Sequence, residues 1–317
     1  MGTLYIDRKG LHIKLDGNAL AFYTNGQREG SAPINPLKRV VAVGNITIES
    51  HVLHRLANEN ISMIFLSGRR LRFCGMLHGR LHNNGLLRIK QYEKSLSDFS
   101  LEYSKDIVSK KLSSQLSLLQ EVMNKRSDLR FELTKSIRII EEIIVQLKNE
   151  DIEQTALMGL EGGASSAYFK AYTQLFADSL NFKKRTRRPP EEPVNAMLSL
   201  CYTLLHFEVV REIETIGLDP TIGFYHKFEY GRESLACDLV EIYRTAVDRF
   251  VWQIFAERIF RERDFAYDEE RPGCYLKKES RKEFYTLYEK WAQDIRTFIV
   301  EDVRALARRI NGQDTLL

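Results

Sequence analysis

Asn83-Asn84-Gly85-Leu86 is the stretch at which the hydrophobic period of the chain changes. Before it, short apolar runs alternate with turn residues. Leu11-His12-Ile13-Lys14-Leu15 alternates apolar and polar side chains, the two-residue period of a half-buried strand. Residues 3–6, 20–23, 46–48 and 61–66 are further runs rich in β formers. Lys9-Gly10, Asp16-Gly17-Asn18 and Asn25-Gly26 lie between runs and supply turn chemistry. Residues 50–58 have helical character, with Ser50 as the candidate N-cap. After Leu86 the period becomes helical. Leu112, Leu116, Leu119 and Met123 form one stripe, and Ile137, Ile140, Ile144 and Leu147 a second. Further helices are predicted over about 156–177, 192–215, 233–264 and 279–311, with Pro189-Pro190, Pro193, Gly217, Pro220 and Pro272-Gly273 between or at the start of them. The chain therefore reads as α+β: an N-terminal antiparallel β domain over 1–85, followed by a larger all-α-helical domain over 86–317.

A length of 317 residues suits two such domains, and 44% apolar content is too high for disorder. The sequence has no run of about 18 uncharged apolar residues, so no transmembrane helix is predicted. The first residues lack the apolar core of a signal peptide, and Ile6 breaks the myristoylation pattern. Cys74, Cys201, Cys237 and Cys274 are widely spaced, which argues against a disulfide framework and against a cysteine-rich zinc site. A soluble cytoplasmic protein is the expectation. The formal net charge of +4 is unevenly spread. Residues 1–85 hold 11 Lys/Arg against 5 Asp/Glu, an excess that suits either a polyanion or a merely solvated surface.

Three segments of the helical part carry candidate chemistry. In Leu160-Glu161-Gly162-Gly163-Ala164-Ser165-Ser166-Ala167-Tyr168-Phe169, Glu161, Ser165 and Tyr168 share one helix face. The small residues admit either a ligand or a tightly packed helix. In the second segment, Lys183, Lys184, Arg185, Arg187 and Arg188 precede Pro189-Pro190. The prolines forbid helix there, so the cations sit on a loop that is either solvated or suited to phosphate. Asn195, Ser199 and Tyr202 then form a polar line on an apolar helix, which must find partners or line a site. The third segment runs from Gly217-Leu218-Asp219-Pro220-Thr221-Ile222-Gly223-Phe224-Tyr225-His226 to Ser234-Leu235-Ala236-Cys237-Asp238-Leu239-Val240-Glu241. Asp238 and Glu241 are three apart, and their repulsion asks for a cation: Arg244, Arg232 or a metal. Two carboxylates with one imidazole suit Mg2+ or, given the nitrogen ligand, rather better Mn2+.

Taken together, these segments resemble the CRISPR-associated adaptation integrase family, Cas-one. Its Glu-Gly segment closing in Tyr-Phe, its Pro-Pro…Pro-Val-Asn-Ala segment, its Gly-Leu-Asp-Pro-x-Ile-Gly-Phe-x-His loop and its Ser-Leu-Ala-x-Asp-Leu-x-Glu helix all occur here in order. Tyr225 stands where the family usually has Leu, and Cys237 where it usually has an aliphatic residue.

The resemblance implies that Glu161, His226 and Glu241 are metal ligands for Mg2+ or Mn2+, and that Asp238 supports the site or joins it. It implies motif positions near the site for Arg188, Asn195, Arg232 and Ser234. With 183–188, these are the candidate DNA contacts. It further implies insertion of short foreign DNA fragments into a CRISPR array by metal-dependent transesterification, with endonuclease activity when water is the nucleophile. The chain lacks a P-loop, consistent with phosphoester exchange that needs no nucleotide cofactor. Expected partners are fragment and repeat DNA, a second copy bound through the β domain, and a Cas-two protein, with no membrane. The competing expectation is a DNA-binding assembly subunit that has lost its chemistry.

Overall fold

The computed structural model of the chain describes residues 2–79, 82, 84–148, 152–186, 189–267 and 273–312. It divides into two units: Met1–Asn83 with Arg281–Ala292, and Asn84–Ser280 with Gln293–Leu317.

In the first unit, β1 (Thr3–Ile6), β2 (His12–Asp16), β3 (Ala19–Thr24), β4 (Gln27–Pro33), β5 (Arg39–Val43), β6 (Thr47–Ile48), α1 (Ser50–Asn58), β7 (Ser62–Leu66) and β8 (Phe73–Leu77) follow in order. They form two four-stranded sheets, β4-β3-β2-β6 and β1-β5-β7-β8. Two-residue turns join β2 to β3 and β3 to β4. Asn25 and Gly26 have φ of 51° and 80°, the positive values that a tight hairpin requires of both central residues.

The expected antiparallel pairing holds for β2–β3, β3–β4 and β7–β8. The pairs β1–β5, β5–β7 and β2–β6 are parallel, which corrects that expectation. The reason lies in the connections: β6 and α1 intervene between β5 and β7, giving the crossover length that parallel strands need. Strand β5 is buried at all of its residues, Arg39-Val40-Val41-Ala42-Val43, as a strand covered on both faces is. Its apolar run therefore lacks the alternation that marks the half-buried strands. Glu49 holds the N-cap position of α1, and Ser50 is its first helical residue.

One core joins the two sheets and α1. It includes Ile6, Val40 and Met63 from one sheet, Ile13 and Leu20 from the other, and Val52 and Leu56 from the helix. Residues 281–292, expected in the helical domain, complete this unit. Arg281 donates to the carbonyl oxygens of Gly68 (2.7 Å) and Arg69 (2.9 Å) and pairs with Asp7 (3.2 Å). Tyr285 stacks on Tyr5 with ring centroids 4.2 Å apart.

The second unit contains α2 (Gly85–Ser95), α3 (Phe99–Lys125), α4 (Arg130–Gln146), α5 (Gln154–Tyr172), α6 (Pro193–Ile216), α7 (Ser234–Ala256), the hairpin β9 (Phe265–Tyr267) and β10 (Cys274–Leu276), and most of α8 (Lys278–Asn311). Helix α7 packs against α3 and α6, and α5 against α3 and α4. The buried face of α3 is wider than its predicted stripe. It holds Lys111, Leu112, Gln115, Leu118, Leu119 and Val122, whereas Leu116 and Met123 are half-buried. Helix α6 opens with Pro193 at its first position, where a missing N–H is harmless, and closes on Gly217 at φ 96°. By length and composition α6 could cross a membrane, but 78% of that stretch is buried, as in a core helix.

Candidate active site

Helix α7 brings the buried carboxylates of Asp238 and Glu241 into the second unit, and the structure gives them separate tasks. Asp238 is fully buried and serves the loop before it. Its Oδ2 accepts from the backbone N–H of Phe224 (2.6 Å) and Tyr225 (3.0 Å). Its Oδ1 accepts from the N–H of His226 (2.9 Å) and lies 2.7 Å from that residue's Nδ1. A proton on Nδ1 leaves the imidazole lone pair on Nε2, and His226 lines the pocket. The loop can approach this closely because residue 223 is glycine. A Cβ there would lie 2.7 Å from both Asp238 Oδ2 and the backbone carbon of Ser234. Gln91 on α2 fixes the upstream part of the loop. Its amide donates to the carbonyl oxygens of Asp219 (2.9 Å) and Ile222 (2.7 Å) and accepts from the N–H of Asp219 (2.8 Å).

Glu241, one turn further along α7, faces Glu161 of α5 across the ammonium of Lys111 from α3. Lys111 Nζ donates to Glu161 Oε1 and, at 2.6 Å, to Glu241 Oε2. Arg244 Nε donates to Glu241 Oε1 at 2.7 Å. Burial alone would raise the Glu241 carboxyl, but Arg244 and Lys111, with His226, bring it down to about 2. Ser165 Oγ donates to Glu161 Oε1 at 2.7 Å, and the Tyr225 hydroxyl approaches Glu161 Oε2 at 3.4 Å. Burial, followed by the charges of Glu161 and Glu241, pushes the Tyr225 phenol up, so it remains a donor.

Glu161, His226, Glu241 and Lys111 line one pocket of about 580 Å³, whose other wall carries Arg185, Arg232 and Arg244. The polar line on α6 is the dock for Arg185. That guanidinium donates to Asn195 Oδ1 (2.7 Å) and Ser199 Oγ (3.1 Å) and lies over the Tyr202 ring, 5.5 Å from its centroid. Arg244 lies over the same ring at 5.0 Å. Beneath them Asp248 accepts from the hydroxyls of Tyr168 (2.8 Å) and Tyr202. Burial raises its carboxyl to about 6 against those two hydrogen bonds.

The donor set of two carboxylates and an imidazole backed by a carboxylate suits Mg2+ or Mn2+. Among the described residues, however, no three metal-donor side chains converge on one point. Lys111 lies between the two glutamates.

The family model described as CRISPR associated protein Cas1 matches residues 4–290. The chain belongs to the Cas1 family. It is similar to a protein of Thermodesulfovibrio yellowstonii named CRISPR-associated endonuclease Cas1 1, at 53% identity over 310 residues, covering 98% of this chain and 97% of that one. Among solved structures, a CAS1 protein from Thermotoga maritima shares the fold at a TM-score of 0.81 and 24% identity, covering 99% of each chain. A casposase bound to integration product shares it at a TM-score of 0.84 and 18% identity, covering 100% of this chain and 92% of that one.

In this Cas1 chain the eight residues predicted from the sequence to contact DNA fall into four pairs. Lys183 and Lys184 are exposed, and Arg185 and Arg232 line the pocket. Asn195 and Ser234 are buried and hold loops in place. Asn195 Nδ2 donates to Lys184 O at 2.8 Å, and Ser234 Oγ donates to Lys227 O at 3.1 Å. Arg187 and Arg188 lie outside the described residues. Sequence reading missed Lys111, Gln91 and Asp248. Lys111 left one trace, a cation in register with Gln115, Leu118 and Val122 on the buried face of α3.

Proposed function

We propose that this Cas1 protein is a DNA strand-transfer enzyme that joins the 3′-OH of a short fragment to a phosphodiester of the CRISPR repeat. The observation that carries this reading is the pairing, in one pocket, of a Glu161–Glu241–His226 donor set with a wall of guanidinium groups.

Glu161, Glu241 and His226 would hold a divalent cation, Mg2+ or Mn2+, which when bound supplies Lewis-acid charge at the phosphoryl oxygens. Asp238 fixes the His226 ring and its tautomer through Nδ1, so the loop cannot turn the imidazole away. Arg185 and Arg232 offer donors to non-bridging phosphate oxygens, with the stack on Tyr202 restraining Arg185. Arg244 keeps Glu241 ionised. The reaction forms one P–O bond to the incoming 3′-oxygen and breaks one to the leaving 3′-oxygen of the repeat. Water in place of the fragment gives strand cleavage. Lys183 and Lys184 extend the cationic surface along the DNA backbone. A second copy of the chain and a Cas-two partner complete the assembly in this reading.

The test is transfer of a labelled short duplex into a repeat-bearing plasmid, with and without the partner. Glu161→Ala and His226→Ala abolish transfer and leave the fold intact. Transfer at the wild-type rate by His226→Ala refutes the site. Binding of Mn2+ without cleavage or transfer supports the assembly-subunit alternative.

A further inference from the structure

Lys111 lies outside every segment that carries the family pattern, yet it occupies the centre of the site. Its side chain is 8% exposed, and its ammonium contacts both carboxylates. The other groups around those carboxylates leave little slack. Ser165 shares Glu161 Oε1, Tyr225 faces Glu161 Oε2, and Arg244 holds Glu241 Oε1. An ammonium in hydrogen-bond contact with both glutamates and a divalent cation that Glu161 and Glu241 would hold exclude each other, by space and by charge.

We propose that Lys111 is a resident counter-cation that a divalent metal must displace, so that this lysine sets the metal affinity of the site. The proposal rests on the metal reading above. Without metal, the ammonium screens Glu161 from Glu241 and keeps α3, α5 and α7 joined through one charge-assisted network. On loading, Lys111 withdraws from the oxygens that become ligands. Metal binding then has to repay two charge-assisted hydrogen bonds, which makes the wild-type site weaker than its donor set would otherwise be.

The experiment measures Mn2+ binding by the electron paramagnetic resonance signal of free Mn2+, in wild type, Lys111→Met and Lys111→Arg, each with and without Glu161→Ala. Lys111→Met is expected to bind at least about 100-fold more tightly than wild type, the factor that corresponds to losing two competing charge-assisted bonds. Lys111→Arg keeps the charge and does not tighten binding. In chelator, Lys111→Met melts below wild type, and saturating Mn2+ narrows that gap.

A second measurement uses the unmodified protein. Acetylation of Lys111, read by mass spectrometry, rises when Mn2+ is added, because the displaced ammonium leaves its carboxylate partners. Lys111→Met affinity equal to or weaker than wild type overturns the proposal, as does acetylation that is unchanged or reduced by Mn2+. Glu161→Ala separates the two levels. If it weakens Mn2+ binding while Lys111→Met has no effect, only the Lys111 proposal fails. If it leaves Mn2+ binding untouched in both backgrounds, the metal reading fails with it.

Discussion

Replacing Asp238 by Asn exchanges one carboxylate oxygen for an NH2 group and removes the charge at a fully buried point of the site. Each carboxylate oxygen of Asp238 has two nitrogen partners, all four from residues 224–226. Asparagine retains one oxygen and places an NH2 group against two N–H donors that have no other acceptor within the site. Two charge-assisted hydrogen bonds at about 1.5–3 kcal/mol each, reduced by some relaxation, amount to about 3–5 kcal/mol. For a helical unit of this size each kcal/mol moves the melting temperature by about 2–4 °C, so a fall of roughly 6–20 °C is expected. Scanning calorimetry in chelator measures it, and Mn2+ affinity measured alongside falls because the His226 ring loses its anchor. A fall of less than about 2 °C refutes the idea that these bonds hold the loop, since even one lost charge-assisted bond exceeds it.

Gly223→Ala pushes a methyl group against the backbone of Ser234 and Leu235. Urea denaturation should show a loss of about 1–3 kcal/mol. Asp248 titrates near 6 in the fold and near 4 when unfolded, so its contribution to stability is full below about 4 and is lost as pH rises through about 6. Asp248→Asn should therefore flatten the pH dependence of unfolding across that interval, and an unchanged slope rejects the assignment. The double variant Lys183→Gln/Lys184→Gln weakens DNA binding and reduces the slope of log affinity against log salt by up to about two, measured by fluorescence anisotropy.

Features encoded locally could be read from the chain. Gly17 and the Asn25-Gly26 pair mark hairpin turns because positive φ selects glycine and asparagine, and the motif segments place Glu161, His226 and Glu241 within reach of one pocket. Features that depend on long-range packing could not. Strand β5 has no alternation because both of its faces are buried. Asp238 and Glu241 share a helix face and a spacing, yet one turns to a loop and the other to Lys111. That division is set by backbone N–H groups far from any side-chain pattern. Lys111 itself is 50 residues from Glu161 and 130 from Glu241, so only the packing of α3 against α5 and α7 brings it there.

The 34 residues of α8 serve both units, and this has a consequence for synthesis on the ribosome. Residues 1–83 emerge first, but Arg281 and Tyr285, which cover Asp7 and Tyr5, are translated only after nearly the whole helical unit. At about 5–20 residues per second the nascent sheets wait roughly 10–40 s for them. The first part of the chain to appear is therefore among the last to be finished. A fragment ended at Asn83 would expose permanently the surface that the growing chain exposes for those seconds.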